Sequence, residues 1–439
     1  MFDIEITGVG SELQGVGRLP DGRAAFVPGA IPGERVRVEI TADKGRYCEA
    51  SLVDVLKASP DRLKPDCPHA DVCGGCQARH MTYARTLELK RQKVYDALTR
   101  IGGFDAPEVR ETLGCDAPNR TRNKAEYPIA RQDGHMVVGA FAPGGQRIIE
   151  LRDCLSQSEE SITALNWLSA QLDTLPAASH LKYLVTRTNR NGEMMLILSG
   201  DAPIAEQLKN LSPAPPCARS LWYCQLNRRP THALDGVCTR IWGEPTLKDR
   251  LFDLDFELSP QSFFQVNARQ TEILYAQALQ AAGIVPGCDL NVLDAYCGAG
   301  TITLSAARYA KAVTGIEIVP PAIQNAKQNA KANGIANARF ICADAAREIP
   351  RLLARKQNFD AAILDPPRKG ADPATLAALA HAKIPTIAYV SCNPATLARD
   401  LKALQSQNYQ LQYAQPVDMF PWTGHVESVA KLTRAGLWL

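Results

Sequence analysis

The chain has 439 residues, 46% of them hydrophobic, and its 49 basic side chains nearly balance 46 acidic ones. This length suits two or three domains, and a net charge of +3 is too small to indicate nucleic-acid binding by itself. No uncharged apolar run reaches the ~18 residues of a membrane span, and the first residues lack an apolar signal region. We therefore expect a cytoplasmic protein with no membrane association and no obligate protein partner.

Residues 1–58 have the pattern of a small β-barrel. Short segments of alternating apolar and polar residues are separated by turns that contain proline and glycine. The predicted strands are Phe2–Thr7, Arg23–Val27, Arg35–Ile40 and Tyr47–Leu56. A proline-containing linker, residues 59–65, follows this first unit.

Three cysteines lie just beyond the linker. Cys67, Cys73 and Cys76 have five and two residues between them, a spacing typical of metal binding. Thirteen cysteines in a long chain without a secretion signal do not indicate a disulfide framework. Cys154 is the candidate fourth ligand. Four thiolates suit either a tetrahedral zinc ion or an iron–sulfur cluster, and the spacing leaves both open.

The rest of a second unit, residues 59–255, is predicted to contain a basic helix and a β-rich region. Tyr83–Ile101 fits a helix closed by two glycines, and residues from about 112 onward look mostly β. Basic residues cluster along and after this helix, where they form either solvated faces or a footprint for phosphates. They are Arg79, Arg85, Lys90, Arg91, Lys93, Arg100, Arg120, Arg122 and Lys124.

Residues 256–439 alternate apolar strands with helical patterns, which is typical of a doubly wound α/β domain. The segment 291–301 combines a strand with a Gly-x-Gly turn that lets the backbone approach a ligand. Glu317, Asp344 and Asp365 each follow a later strand. A lone acid in such a place usually caps a helix. A series of them after a glycine turn fits adenosine held without a pyrophosphate, as in S-adenosylmethionine (SAM).

A cysteine at the end of a later strand suggests covalent chemistry. Cys392 follows the predicted strand Ile384–Val390, and the helix opened by Asn393 should help to stabilise a thiolate. A thiolate that adds to C6 of uracil makes C5 nucleophilic enough to attack a sulfonium methyl group. A base must then remove the C5 proton. Glu427, between apolar neighbours that would raise its pKa, is the preferred candidate, and His425 is a weaker one.

Together these motifs resemble the SAM-dependent RNA uracil-5-methyltransferases, most closely the RlmD-type enzymes of 23S ribosomal RNA. The resemblance implies a TRAM domain, an OB-like RNA-binding barrel, at residues 1–58. It also implies a β-rich central domain at 59–255 and a Rossmann-like class I SAM methyltransferase domain at 256–439. The implied ligands of a 4Fe–4S cluster are Cys67, Cys73, Cys76 and Cys154.

The same resemblance assigns roles in the third domain. Cys392 is implied as the nucleophile and Glu427 as the base, with 23S ribosomal RNA as the substrate. The implied SAM-binding residues are Gln265, Tyr296, Thr301, Glu317, Asp344 and Asp365. Thr301 stands where the RlmD-type turn has asparagine. Trp422, near the base, replaces a smaller or polar residue.

Other functions fit parts of the sequence. Sister enzymes methylate the T-loop of transfer RNA with the same catalytic domain but without the cluster. Asp365-Pro-Pro-Arg368 is similar to the motif of amino-methyltransferases, but those enzymes stack the base on an aromatic residue and need no thiol. Cytosine-5 enzymes usually carry their cysteine after a proline, which is not the case for Cys392. A non-catalytic RNA-binding or assembly factor is the alternative from another class.

Overall fold

The computed structural model describes residues 1–145, 147–211 and 213–436. Its first unit is a closed five-stranded barrel with the strand order β1-β2-β3-β5-β4. The bounds are β1 Phe2–Val9, β2 Gly15–Arg18, β3 Ala24–Val27, β4 Arg35–Asp43 and β5 Tyr47–Lys57. Four strands lie where the alternation predicts them. β2 was missed, because two glycines in four residues weaken the alternating pattern.

The middle of the chain forms a seven-stranded sheet with the order β12-β11-β10-β9-β6-β7-β8. All neighbours pair antiparallel except β10 and β11. The strands are β6 Lys124–Gln132, β7 His135–Phe141, β8 Ile148–Glu150, β9 Leu181–Thr188, β10 Met194–Gly200, β11 Ala218–Leu226 and β12 Gly236–Gly243. The helices before and within it are α1 Tyr83–Ala97 and α2 Glu159–Ser169, and short 3-10 turns occupy Ala178–His180 and Gln207–Asn210. A hairpin follows, made of β13 Leu247–Leu251 and β14 Leu254–Leu258.

The last part is the predicted doubly wound α/β fold, with the strand order β17-β16-β15-β18-β19-β21-β20. Strands β15 to β19 are parallel, and β21 runs antiparallel between β19 and β20. The strands are β15 Asn291–Ala295, β16 Ala312–Glu317, β17 Ala338–Cys342, β18 Ala361–Leu364, β19 Thr386–Ser391, β20 Tyr409–Val417 and β21 Glu427–Arg434. The helices are α3 Ala268–Ala281, α4 Thr301–Ala307, α5 Pro320–Ala332, α6 Ala345–Ala354, α7 Pro373–His381 and α8 Pro394–Gln405.

The proposed division at residues 58 and 255 remains a prediction. The hairpin β13–β14 spans residue 255, so one element lies across the second boundary. Helix α1, which belongs to the predicted second unit, packs against the third unit, since Val94 shares a hydrophobic core with Leu397 and Leu401 of α8. The central segment is therefore packed against the α/β fold rather than tethered to it.

Helix α1 matches its prediction, except that its last residues are wound differently. The α-helix ends at Ala97 and continues as a π-helical turn, Leu98–Gly102. Gly103, with a φ of 73°, closes it in the left-handed conformation that glycine adopts without strain.

The basic residues of α1 do not, as a group, form either a solvated face or a footprint for phosphates. Lys90 is fully buried and bonds Asp418, also fully buried, at 2.5 Å, and the carbonyl of Phe420 at 2.9 Å. Lys93 bonds the carbonyls of Ser11 and Gly424, both at 2.6 Å. These cations join the barrel, the helix and the α/β fold, because buried ammonium groups require polar partners. Among the described residues, no helix is long and apolar enough to cross a membrane.

Replacing Lys90 by methionine should destabilise the fold. The Asp418 carboxylate would stay buried without its cation, which typically costs about 3–5 kcal/mol. The double variant Lys90→Met/Asp418→Asn should recover much of this loss, because the amide can still accept from Tyr83. Urea unfolding measures the effect, with exposed Lys331→Met as the control. An unchanged unfolding midpoint for Lys90→Met would contradict a structural role for the pair.

Candidate active site

The glycine turn after β15 forms one wall of the site. Tyr296, Gly298 and Gly300 have φ values of 73°, 54° and 85°, so the backbone turns through the left-handed region three times. The amides of Tyr296 and Cys297 donate to the carbonyl of Ile316 at 2.9 and 3.0 Å, which fixes this shape. The turn therefore exposes backbone at the start of α4, where a ligand can approach closely.

The acidic residues beyond the strands lie around the turn. Glu317 accepts hydrogen bonds from the amides of Gly298, at 3.2 Å, and Val319, at 2.9 Å. Asp344 caps α6 by accepting from the amide of Ala346. A cavity of 1180 Å³ opens here at the carboxyl ends of the strands. All six residues predicted to bind SAM line it: Gln265, Tyr296, Thr301, Glu317, Asp344 and Asp365.

The central sheet positions another wall, residues 262–267. Asn123, at the start of β6, donates from its side chain to the carbonyl of Gln265 at 3.1 Å and from its amide to Val266 at 2.8 Å. Arg187 of β9, almost fully buried, donates to the carbonyl of Ser262. Phe263 is consequently 75% exposed at the cavity, although nothing in the sequence distinguishes it from its buried neighbour Phe264.

Cys392 and Glu427 come together through strand pairing. Ser391 of β19 lies opposite Ser428 of β21 in an antiparallel register. One residue further along, Cys392 therefore faces Glu427 across the two strand ends. Asn393 caps α8 by accepting from the amide of Ala395, and Pro394 opens the helix, so β19 stops at this point. Of the described residues, those that line the cavity include Asp365 but neither Cys392 nor Glu427.

Burial governs the ionisation of this group. Burial, reinforced by Asp365, raises the pKa of Glu427 to about 8, although Arg368 opposes the shift. Burial alone raises the pKa of Asp365 to about 6. The pKa of Cys392 rises to about 11, first through burial and then through Glu427, with Arg368 again opposing. In the free protein desolvation therefore outweighs any stabilisation of the thiolate by the start of α8, and that stabilisation remains a prediction.

Two further polar residues lie near the site. Burial is the main cause that lowers the pKa of His425, so this side chain favours its neutral form. Asp294, fully buried beneath the glycine turn, accepts from Thr303 of α4 at 2.5 Å. Its pKa rises to about 7, mainly through burial. Asp294 stands inside the recognised motif, but the sequence analysis gave it no role of its own.

The four predicted metal-binding cysteines share one neighbourhood. Cys67, Cys76 and Cys154 all act electrostatically on Cys73, whose pKa is raised chiefly by burial. Backbone amides point at two of the sulfurs: Gly75 donates to Cys73, and Ser156 and Gln157 interact with Cys154. Among residues 1–145, 147–211 and 213–436, no three His, Cys, Asp or Glu side chains are gathered closely enough for a single metal ion.

Comparison with known proteins identifies the family. Residues 244–435 match the family described as tRNA (uracil-5-)-methyltransferase, and residues 1–53 match the TRAM domain. An uncharacterized RNA methyltransferase of Halalkalibacterium halodurans is 40% identical, over 98% of this chain and 96% of its own length. The chain belongs to the RNA uracil-5-methyltransferase family. A second relative of this uracil-5-methyltransferase, an uncharacterized RNA methyltransferase of Caldanaerobacter subterraneus, is 39% identical over 99% of this chain and 98% of its own.

A solved structure resembles this uracil-5-methyltransferase along its whole length. The crystal structure of Pyrococcus abyssi tRNA (uracil-54, C5)-methyltransferase in complex with S-adenosyl-L-homocysteine is 27% identical. The match covers 98% of this chain and 100% of that one, with a TM-score of 0.77. The prediction of a SAM-dependent methyltransferase with an N-terminal TRAM barrel is therefore confirmed.

The buried carboxyl of Glu427 makes stability depend on pH. Its pKa is about 8 when folded and near 4.5 when unfolded, so between these values only the folded state keeps the proton. This contribution is complete below about pH 4.5 and is lost as the pH rises through about 8, by up to ~1.4 kcal/mol per pH unit. Glu427→Gln removes it, so wild-type stability should fall relative to that variant between pH 5 and 8 in urea unfolding. Exposed Glu244→Gln is the control. If the difference in unfolding free energy between wild type and Glu427→Gln stays constant from pH 5 to 8, the raised pKa of Glu427 is ruled out.

Proposed function

We propose that this enzyme transfers the methyl group of SAM to C5 of a uridine in 23S ribosomal RNA and forms 5-methyluridine. The observation that carries the chemistry is the pairing of β19 with β21, which sets Cys392 opposite Glu427. A thiol and a carboxyl group at this position are the two groups that methylation of a uracil C5 requires. Amino-methylation needs no thiol.

The cavity residues suit SAM. Gln265, Tyr296, Thr301, Glu317, Asp344 and Asp365 are the proposed binding residues. The Glu317 carboxylate is held by two backbone amides, so it is already oriented for hydroxyl groups of a ribose. Thr301 lies 3.1 Å from the hydroxyl of Tyr275, which orients it at the start of α4. When bound, SAM supplies an electrophilic methyl group on a sulfonium centre.

The chain's residues carry out the remaining steps on the uridine. Cys392 gives its proton to solvent water as its sulfur adds to C6, and the C5=C6 electrons shift to make C5 nucleophilic. C5 takes the methyl group, and S-adenosylhomocysteine leaves. Glu427 accepts the C5 proton, the C5=C6 bond re-forms, and the Cys392 sulfur departs from C6. The target uridine must leave its stack to reach a thiol at the strand ends.

In the proposed mechanism, the charges around Glu427 change in the order that the reaction steps require. A pKa of about 8 keeps this carboxyl largely protonated at neutral pH in the free protein. Glu427 would ionise more readily while the cavity that Asp365 lines holds a positive charge, since an opposite charge favours the carboxylate. Once the methyl group has been transferred, that charge is gone. Glu427 is then the stronger base when the C5 proton must be removed.

We also infer that Cys67, Cys73, Cys76 and Cys154 bind a 4Fe–4S cluster. The four thiols are a fitting donor set, and amide N–H groups are directed at the sulfurs of Cys73 and Cys154, where such bonds would stabilise cluster-bound thiolates. The resemblance to the cluster-containing enzymes favours an iron–sulfur cluster over zinc, which four thiolates would also suit. Iron and acid-labile sulfide per chain measure the cluster.

The alternative substrate is the T-loop of transfer RNA. The Pyrococcus abyssi enzyme, which matches the whole chain, is named for uracil 54 of tRNA. The four cysteines favour ribosomal RNA through the resemblance to the cluster-containing enzymes. The TRAM barrel suits an RNA of either kind. A non-catalytic binding factor would not need the buried pair of Cys392 and Glu427.

Methylation of defined transcripts tests the substrate. Anaerobically purified protein, labelled SAM and transcripts of 23S rRNA and tRNA should give 5-methyluridine from the rRNA alone, as identified by nucleoside mass spectrometry. Product from tRNA alone would transfer the assignment to the T-loop. A methylated purine, or no methylated RNA, would contradict the thiol mechanism.

Substitutions separate the roles of Cys392 and Glu427. Cys392→Ala should abolish both methylation and the covalent protein–RNA adduct on denaturing gels. Glu427→Gln should lower turnover by roughly 10²–10⁴-fold while the methylated adduct accumulates, because the C5 proton stays in place. Cys217→Ala, at a half-buried cysteine just before β11, is the matched control and should behave as wild type. Absence of the adduct in Glu427→Gln would remove Glu427 as the base.

A further inference from the structure

The loop between β20 and β21 leads directly into Glu427 and is held by other parts of the chain. We call residues 418–426 the base loop. Lys90 fixes its first residue, Asp418, and Lys93 fixes the carbonyl of Gly424. A third attachment comes from the segment that follows Cys76. The base loop is therefore held at several points by distant parts of the chain before it reaches Glu427.

The third attachment centres on the backbone of Trp422. The amides of Gln77 and Ala78 both donate to the Trp422 carbonyl, at 2.9 and 3.0 Å. The amide of Gly424 donates back to the side-chain oxygen of Gln77 at 3.4 Å. Trp422 has a φ of 65°, a left-handed conformation that is rare for a bulky residue. Such a conformation persists only where the surroundings impose it.

The Trp422 ring also contacts several neighbouring side chains. The guanidinium of Arg79 lies 5.2 Å from the ring centre, and the Tyr83 ring lies 5.2 Å away on a tilted plane. The indole nitrogen donates to the side-chain oxygen of Asn119 at 3.0 Å, and Arg79 donates to the same oxygen at 3.2 Å. Gln77, Ala78 and Arg79 therefore all contact one residue of the base loop.

We propose that Gln77, Ala78 and Arg79 position Glu427 through Trp422, and so couple the four-cysteine segment to the base. Gln77 is the residue after Cys76, so whatever fixes Cys76 also fixes the two amides that hold the Trp422 carbonyl. Trp422 is a positioning residue in this scheme and touches neither the uridine nor SAM. The inference rests on the proposed function of Glu427. It assigns a role to a tryptophan that departs from the resembling enzymes.

The covalent adduct distinguishes positioning from general damage to the fold. If Trp422→Ala displaces Glu427, methyl transfer continues but proton removal slows, so the adduct accumulates while kcat falls roughly tenfold to a hundredfold. Trp422→Phe keeps a ring against Arg79 and Tyr83 and should restore most of the turnover. Trp242→Ala, at an exposed tryptophan of β12, is the matched control and should behave as wild type. Iron and sulfide content is measured in every variant to show that the cysteine site is intact.

Hydrogen exchange tests the coupling without any turnover. Cys76→Ser should speed amide exchange in peptides that cover the base loop, and leave peptides from β10 unchanged. Parallel loss of adduct and turnover in Trp422→Ala, or unchanged base-loop exchange in Cys76→Ser, would overturn the inference. Because wild-type methylation of uridine is measured in the same series, failure of the proposed function would appear separately, as no product from the wild-type enzyme.

Discussion

The antiparallel return of β21 between β19 and β20 is the constraint on which the site depends. The parallel strands of a doubly wound sheet all end at one edge. A strand that starts at this edge and pairs antiparallel with β19 is needed to bring a second residue opposite the end of β19. The final strand starts where β19 ends, so its first residue, Glu427, lies beside Cys392. Glu427 is buried and Cys392 is half-buried, and desolvation raises the pKa of both groups, which favours their neutral forms.

The loop that leads into Glu427 is held by three distant parts of the chain. The chain must travel from β20 back to the start of β21, and residues 418–426 make this connection beside the reacting groups. Lys90 and Lys93 hold the loop through buried or carbonyl-bonded ammonium groups. The segment after Cys76 holds it through Trp422. The barrel, the cysteine segment and α1 thus share a structural task in addition to any contact with RNA.

Burial and charge act together at the reacting end. Desolvation raises the pKa values of Asp365, Glu427 and Cys392, and Arg368 is the opposing charge at two of them. A positive charge in the cavity that Asp365 lines would favour the ionised form of these carboxyl groups. In the proposed mechanism, the loss of that charge would strengthen Glu427 as a base.

The sequence by itself determined the barrel, the doubly wound fold and the glycine turn with its acids, because strand alternation, helix periodicity and turn glycines are local properties of the chain. It also singled out Cys392 and Glu427 as chemically apt residue types. Only the tertiary structure decided that they face one another, that Lys90 is a buried cation rather than a phosphate contact, and that Phe263 is exposed while Phe264 is not. The tertiary structure also decided that burial raises the pKa of the Cys392 thiol, since desolvation depends on every neighbouring element and cannot be read from one strand and one helix. Burial, register and charge environment arise from contacts between residues far apart in sequence, and local patterns carry no record of them.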